Sequence, residues 1–222
     1  MLSEASARSI AQRNIFTVAL AGGSTPQRTY QLLATAAFRG EVAWDRWQVY
    51  FGDERAVPPD DEQSNYRMAA DALLSHVPIP EAQIHRMAGE EPDLDAAATA
   101  YHDLLAATLS QDGSAPQLDV VHLGLGTNGH TASLFPGTPA LTAHDRWAVR
   151  GRADYAPFDR ITLTYPVLNA ARLVLFTVTG AAKHAALLGT AADTTPAAAV
   201  HPVAGELHWL LDAAAAGSGA PG

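Results

Sequence analysis

The sequence predicts an α/β fold, a mostly parallel sheet with helices on both faces, and three observations carry that prediction. The runs at 15–20, 47–51 and 118–123 are mostly apolar and do not alternate strictly, the pattern of strands buried on both sides. Stretches of helical length separate them. Each run stops at or just before glycine, at Gly22-Gly23, Gly52 and Gly124. In such folds ligands bind where strands end, so the loops after these runs are the places to look for chemistry.

The elements follow in order. The run 15–20 is the first strand. Pro26 then opens a helix whose Tyr30, Leu33 and Ala37 share a face. The second strand is 47–51. Ser64 is placed to cap a helix reaching about Ser75, its hydroxyl accepting from a first-turn amide. An Ala-rich helix at 93–109 turns Leu104, Leu105 and Leu109 inward. Leu-Asp-Val-Val-His-Leu at 118–123 is the clearest core strand. A short helix is expected after the next loop, cut by Pro136-Gly137. Further strands are expected at 147–149, 160–164 and 173–178, and helices near 181–188 and 206–216. One domain over 1–216 and a flexible low-complexity tail at 217–222 complete the expectation.

Composition narrows the function classes. The 222 residues carry 14 Lys and Arg against 23 Asp and Glu, a formal net charge of −9, and 48% are hydrophobic. That apolar content can bury a core. No Lys/Arg run supplies the basic face of a nucleic-acid protein or of an anionic-membrane binder. The absence of cysteine removes disulfides, thiol nucleophiles and cysteine-ligated metals together. The polar start, interrupted by Glu4, Arg8 and Arg13, is unlike a signal peptide, and no apolar run nears the roughly 20 residues of a membrane helix. A soluble, cytoplasmic protein acting on a small molecule is expected, as a monomer or weak homodimer. An anionic ligand would be held by a few local groups against the net field.

The first loop is Gly22-Gly23-Ser24-Thr25-Pro26. Two glycines let backbone amides turn toward one point. Ser24 and Thr25 add hydroxyls, and the following helix contributes its positive end. This is a cradle for phosphate or carboxylate without a cationic side chain; the spaced Gly-Lys-Ser/Thr of a Walker loop is missing. Read alone, the segment also fits an ordinary capped turn.

The second loop is Gly52-Asp53-Glu54-Arg55, followed by Asp60, Asp61, Ser64, Asn65 and Tyr66. Arg55, directly after a strand, suits bidentate binding of phosphate. Asp53 and Glu54 could touch a ligand or merely hold Arg55. An isolated triplet of this kind is more often a solvated loop.

The third loop runs from Gly124 to Gly137 and contains G-x-G-x-x-G at Gly124, Gly126 and Gly129. A dinucleotide site needs a long helix after the third glycine and then an acid-tipped strand, and neither follows here. What the loop offers is His130 on a glycine-rich turn, the natural general base near neutral pH. A lone histidine is more often a packing residue, but its place beside an anion-binding loop favours chemistry. Backbone amides around 126–129 are candidate donors to a developing oxyanion.

Together the loops resemble those of the 6-phosphogluconolactonase family: Gly-Gly-Ser-Thr-Pro, Phe-Gly-Asp-Glu-Arg with Ser-Asn-Tyr, and Gly-Leu-Gly-x-x-Gly-His-Thr-Ala-Ser-Leu-Phe-Pro-Gly. The similarity continues through Arg160-Ile-Thr-Leu-Thr-Tyr, Leu168-Asn-Ala-Ala-Arg172, Thr179-Gly-Ala-Ala-Lys183, Pro196 and Trp209-Leu-Leu-Asp212, spanning about 15–213. The resemblance implies the fold of sugar-phosphate isomerases and amino-sugar-phosphate deaminases. It implies hydrolysis of 6-phospho-D-glucono-1,5-lactone to 6-phosphogluconate, the second step of the oxidative pentose phosphate pathway. No metal or organic cofactor is implied. The substrate phosphate would meet Gly22, Gly23, Ser24, Thr25 and Arg55, with Lys183 and Arg160 as further cations and Gly126 and Gly129 among the substrate-binding residues. His130 would deprotonate water, with Asn128 and Asp53 in the candidate catalytic set. Arg55 is expected to dominate phosphate affinity because it follows a strand end directly. A lactone carbonyl is electrophilic enough for positioned water and a base, and the Gly-x-Ser-x-Gly nucleophile elbow is absent.

Two features depart from the family pattern. Asn128 stands where the family usually has Asp, so the histidine loses a neighbouring charge. Only about fourteen residues precede Ile15, fewer than usual: either the start is trimmed, or it is misassigned, or an edge strand is missing. A hexosamine-phosphate deaminase or isomerase is the nearest rival, but those enzymes place Glu five residues after the histidine, where this chain has Phe135. A non-catalytic sugar-phosphate binder is the rival from another class.

Overall fold

The computed structural model describes residues 1–110 and 112–218; of the loose tail expected at 217–222, residues 219–222 lie outside the described residues. Helix α1 (Leu2–Arg13) leads into β1 (Phe16–Leu20), α2 (Ser24–Leu33), α3 (Ala36–Arg39) and β2 (Trp47–Phe51). Then come β3 (Asp53–Arg55), α4 (Asn65–Ala72), α5 (Leu94–Leu109) and β4 (Val120–Leu123). The chain ends with β5 (Ala148–Arg152), β6 (Asp159–Leu163), α6 (Tyr165–Ala170), β7 (Leu173–Val178), α7 (His184–Ala191) and β8 (Glu206–Leu211).

Five strands form a parallel sheet in the order β2-β1-β4-β7-β8. Strands β1, β2, β4 and β7 are mostly apolar because both faces are covered, whereas edge strand β8 is only partly buried. Phe16, Val18 and Leu20 pack on one side with Trp47 and Val49, while Ala19 joins Val121, Leu123, Val174 and Phe176 on the other. The chain leaves β1 toward β2 on one side and returns to β4 on the other. That reversal opens a crevice at the carboxyl ends of β1 and β4, where doubly wound folds bind ligands.

Local chemistry sets the helix starts. The Ser64 hydroxyl accepts from the Arg67 amide at 3.1 Å and starts α4. The Asp93 carboxylate accepts from the Asp95 and Ala96 amides at 3.1 and 3.0 Å and starts α5. At the opposite end of the sheet from the crevice, buried Asp119 accepts from Ser9 Oγ and the Thr17 amide and pairs with Arg13 and Arg172, tying α1 to the sheet.

Three expectations are corrected. Residues 206–211 form edge strand β8, not the start of a helix. The Ala-rich stretch after it favours helix locally, but six registered pairs with β7 and the stacking of Trp209 on Phe176, with centroids 3.9 Å apart, hold the segment extended. No helix follows His130: the Leu134 amide bonds Thr131 at 2.9 Å in a tight turn. Asp53–Arg55 form a strand rather than a loop. With β5 and β6 they make a second, antiparallel sheet in the order β3-β6-β5. Gly52 joins the two sheets, its amide bonding Leu20 and its carbonyl accepting from Leu163.

Candidate active site

The loops after β1, β4 and β7 converge with strand β3 on one cavity of about 290 Å³. It is lined by Gly22, Gly23, Ser24 and Thr25, by Asp53, Arg55 and Asn65, by Gly126 and His130, and by Tyr155, Arg160 and Lys183. Of the residues singled out by sequence, Asn128 and Gly129 lie outside this lining. Glu54 also points elsewhere: its buried carboxylate accepts from the amides of Arg55, Asn65 and Tyr66 and from Ser64 Oγ, at 2.7 to 3.0 Å. Burial raises the Glu54 pKa, and those four hydrogen bonds oppose the rise.

The loop after β1 is fixed from below. The Tyr30 hydroxyl donates to the Ala21 carbonyl at 3.0 Å and accepts from the Ala21 amide at 2.8 Å. It also meets His122 Nδ1 at 3.2 Å, and His122 Nε2 meets Thr177 Oγ1 at 2.9 Å. Complete burial pulls His122 down to about 4, so this imidazole is neutral at physiological pH. Above it, a side chain on Gly22 would bring its Cβ within 1.8 Å of Asn65 Oδ1. Only glycine lets the first loop approach α4 so closely. Thr25 and Thr179 hydroxyls, 2.7 Å apart, join the β1 and β7 loops across the crevice.

Asp53 is buried with both oxygens engaged. Oδ2 accepts from Ser133 Oγ at 2.6 Å, and Oδ1 accepts from Asn65 Nδ2 at 3.1 Å. Three cations face the cavity. Arg55 is steadied by donating Nη1 to the Gln63 carbonyl at 2.6 Å. Arg160 is only 1% exposed, lies 5.5 Å from the Tyr155 ring, and has an Nη2 with no acceptor among the described residues. Burial lowers the Arg160 pKa while Asp53 opposes that, and burial likewise lowers Lys183. An anionic substrate oxygen would relieve both.

His130 stacks on Phe135, with centroids 3.9 Å apart and planes 20° from parallel. The Asn128 Oδ1 accepts from the His130 amide at 3.1 Å and lies 2.6 Å from His130 Nδ1. A carbonyl oxygen only accepts, so this contact assigns the proton to Nδ1 and leaves the lone pair on Nε2. Burial pulls the His130 pKa down to about 4, with Asp53 opposing and Lys183 reinforcing the fall. The imidazole is therefore an unprotonated base at neutral pH. Gly126 makes room for it, since a Cβ there would sit 2.0 Å from Nδ1.

The amides of Gly126 and Gly129 are not free to serve as oxyanion donors. Gly126 donates to the His130 carbonyl at 2.8 Å and Gly129 to the Gly126 carbonyl at 3.0 Å, closing the turn that carries the imidazole. Sequence reasoning missed Tyr155, which lines the cavity from a hairpin turn, and its neighbour Asp154; Thr179, directly after β7, lay within a quoted motif but was given no role. Ser133 lay within the quoted third motif and could have been found there as the hydroxyl partner of Asp53. Among the described residues no three His, Asp or Glu side chains converge to hold a metal, and no helix is long and apolar enough to cross a membrane.

Comparison with known proteins places the chain in a family. The family profile described as glucosamine-6-phosphate isomerases/6-phosphogluconolactonase matches residues 1–209. A protein of Synechocystis sp. named 6-phosphogluconolactonase is 44% identical over 211 residues, covering 92% of this chain and 85% of that one. A protein of Nostoc sp. with the same name is 43% identical over 212 residues, covering 93% and 85%. The solved structure of 6-phosphogluconolactonase from Trypanosoma brucei superposes with a TM-score of 0.84 at 32% identity, covering 97% of this chain and 90% of that one. On a profile match over nearly its whole length and relatives above 40% identity, the chain belongs to the glucosamine-6-phosphate isomerase/6-phosphogluconolactonase family.

Proposed function

We propose that this protein hydrolyses 6-phospho-D-glucono-1,5-lactone to 6-phosphogluconate, with His130 as general base. The observation that carries the reading is a neutral imidazole, its Nδ1 proton committed to Asn128, lining a cavity that also holds three cations. The names of the relatives support the substrate. Arg55, Lys183 and the Gly22–Thr25 loop would hold the phosphate, and the paired hydroxyls of Thr25 and Thr179 would close that end of the cavity.

In this reading Nε2 takes a proton from water as the water oxygen bonds to the lactone carbonyl carbon. The carbonyl oxygen becomes an oxyanion, and the buried cationic Arg160 is the side chain suited to meet it. Collapse of the tetrahedral species breaks the bond to the ring oxygen, which takes the proton back from the imidazolium. The product is the open-chain acid, which ionises at neutral pH. Phe135 favours this chemistry over deamination: the position holds an aromatic ring stacked on the base, with no carboxylate to shuttle a second proton.

The test is hydrolysis of freshly generated lactone, read by a coupled 6-phosphogluconate dehydrogenase against an enzyme-free blank. Acceleration over the blank is expected. Binding of 6-phosphogluconate without acceleration would instead make the protein a sugar-phosphate binder. In the same assay Arg55→Ala should raise KM about tenfold or more, the scale of a lost charge-assisted hydrogen bond. An unchanged KM would transfer the phosphate to Lys183 or Arg160.

A further inference from the structure

Asn128 leaves a problem that its own amide cannot solve. An amide presents an acceptor on one side and donors on the other. Turned one way, it accepts the Nδ1 proton and leaves Nε2 basic. Turned the other way, its Nδ2 would donate to Nδ1, the ring proton would move to Nε2, and the base would be lost. An aspartate at this position accepts in either orientation. Asparagine needs something to hold it.

We infer that Asp154 is that hold: a positioning residue that fixes the Asn128 amide and, through it, the tautomer of His130. This inference rests on the proposed function, because it deepens the role assigned there to the base. Asn128 Nδ2 lies 3.0 Å from Asp154 Oδ2. A carboxylate only accepts, so Nδ2 must face it and Oδ1 must face the imidazole. The result is a directional chain from His130 Nδ1 to Asn128 to Asp154. The negative charge that the family usually carries next to the histidine stands one hydrogen bond further out.

The hairpin between β5 and β6 delivers this carboxylate. Its turn is closed by the Ala153 amide bonding the Phe158 carbonyl at 2.7 Å. The next residue, Tyr155, places its ring 6.3 Å from His130 and 5.7 Å from Phe135. One turn thus brings both Asp154 and Tyr155 to the base. Four charged groups act on the imidazole: Asp53 from β3 and Asp154 from the hairpin favour its protonation, while Arg160 from β6 and Lys183 from the segment after β7 oppose it. Asp154 sits on an exposed turn, so its removal should leave the fold intact.

Asp154→Ala should lower kcat about tenfold with KM little changed, the scale of one orienting hydrogen bond to a charged group. The acid limb of the rate profile should move to lower pH, because removing a nearby negative charge destabilises the imidazolium. Asn128→Asp should move that limb up and make Asp154 dispensable, so that adding Asp154→Ala to it costs no activity. A residue that merely shaped the hairpin would impose the same loss in both backgrounds, and that result would overturn the inference. Imidazole ¹⁵N NMR reads the tautomer with no substrate present, so it stands even if the lactone reading fails. The native protein should show His130 protonated at Nδ1, and Asp154→Ala should populate the Nε2-protonated form. An unchanged tautomer in Asp154→Ala would also sink the idea.

Discussion

Alanine in place of His130 should lower kcat for the lactone by about 10²- to 10⁴-fold, the usual contribution of a positioned general base, and change KM far less. The KM expectation follows from the division of the cavity. The groups proposed to hold phosphate sit on the loops after β1 and β7 and at the end of β3, while His130 stands on the loop after β4. The pH profile provides an independent check. Burial holds the imidazole at about 4, so the native rate should be flat through neutral pH and fall as pH drops through about 4. An unperturbed histidine would put that limb near pH 6.5. Such a low pKa makes a weak base that is always ready, a workable compromise when the carbonyl is as electrophilic as a lactone's. A limb near 6.5 would mean that the open protein hydrates this ring. A loss of less than threefold in the alanine variant would remove His130 from the mechanism.

The sequence made parts of this site legible, and physical reasons separate them from the rest. Strands β1, β2, β4 and β7 could be read because burial on both faces leaves a mostly apolar run without strict alternation. The starts of α4 and α5 could be read because Ser64 and Asp93 cap their own neighbours. His130, Arg55 and the Gly22–Thr25 loop were legible for the same reason: each lies in a short motif whose chemistry is local. Strand β3 was not, since Asp-Glu-Arg carries no apolar pattern and becomes a strand only by pairing with β6, a hundred residues away in rough terms. Strand β8 was hidden by the helix propensity of the alanines after it. Asp154 and Tyr155 carried no signal because only the hairpin's return to the third loop gives them a role. Of the amides expected as oxyanion donors around 126–129, those of Gly126 and Gly129 are used by the tight turn that presents His130.

Glu54→Ala should destabilise the protein by about 3 kcal/mol or more, because it orphans buried donors that nothing else nearby can satisfy. The carboxylate takes three backbone amides and one hydroxyl, gathering the end of β3 and the first turn of α4 onto one side chain. Each orphaned donor costs about 1–3 kcal/mol, but the total stays below the simple sum. Ser64 can turn its hydroxyl elsewhere, and removing a buried charge recovers part of the burial penalty that raises the Glu54 pKa. Glu54→Gln keeps one acceptor and should recover about half the loss. Urea unfolding at constant slope measures both variants, and a shift below about 1 kcal/mol for alanine would show that water replaces the carboxylate. The consequence reaches the site through Asn65, whose amide Glu54 holds and whose side chain bonds Asp53 and sets the spacing to Gly22. Glu54→Ala should therefore also raise KM for the lactone. An acid that reads in sequence as a possible ligand thus acts on the substrate only by holding the frame from which Asn65, Asp53 and the first loop are hung.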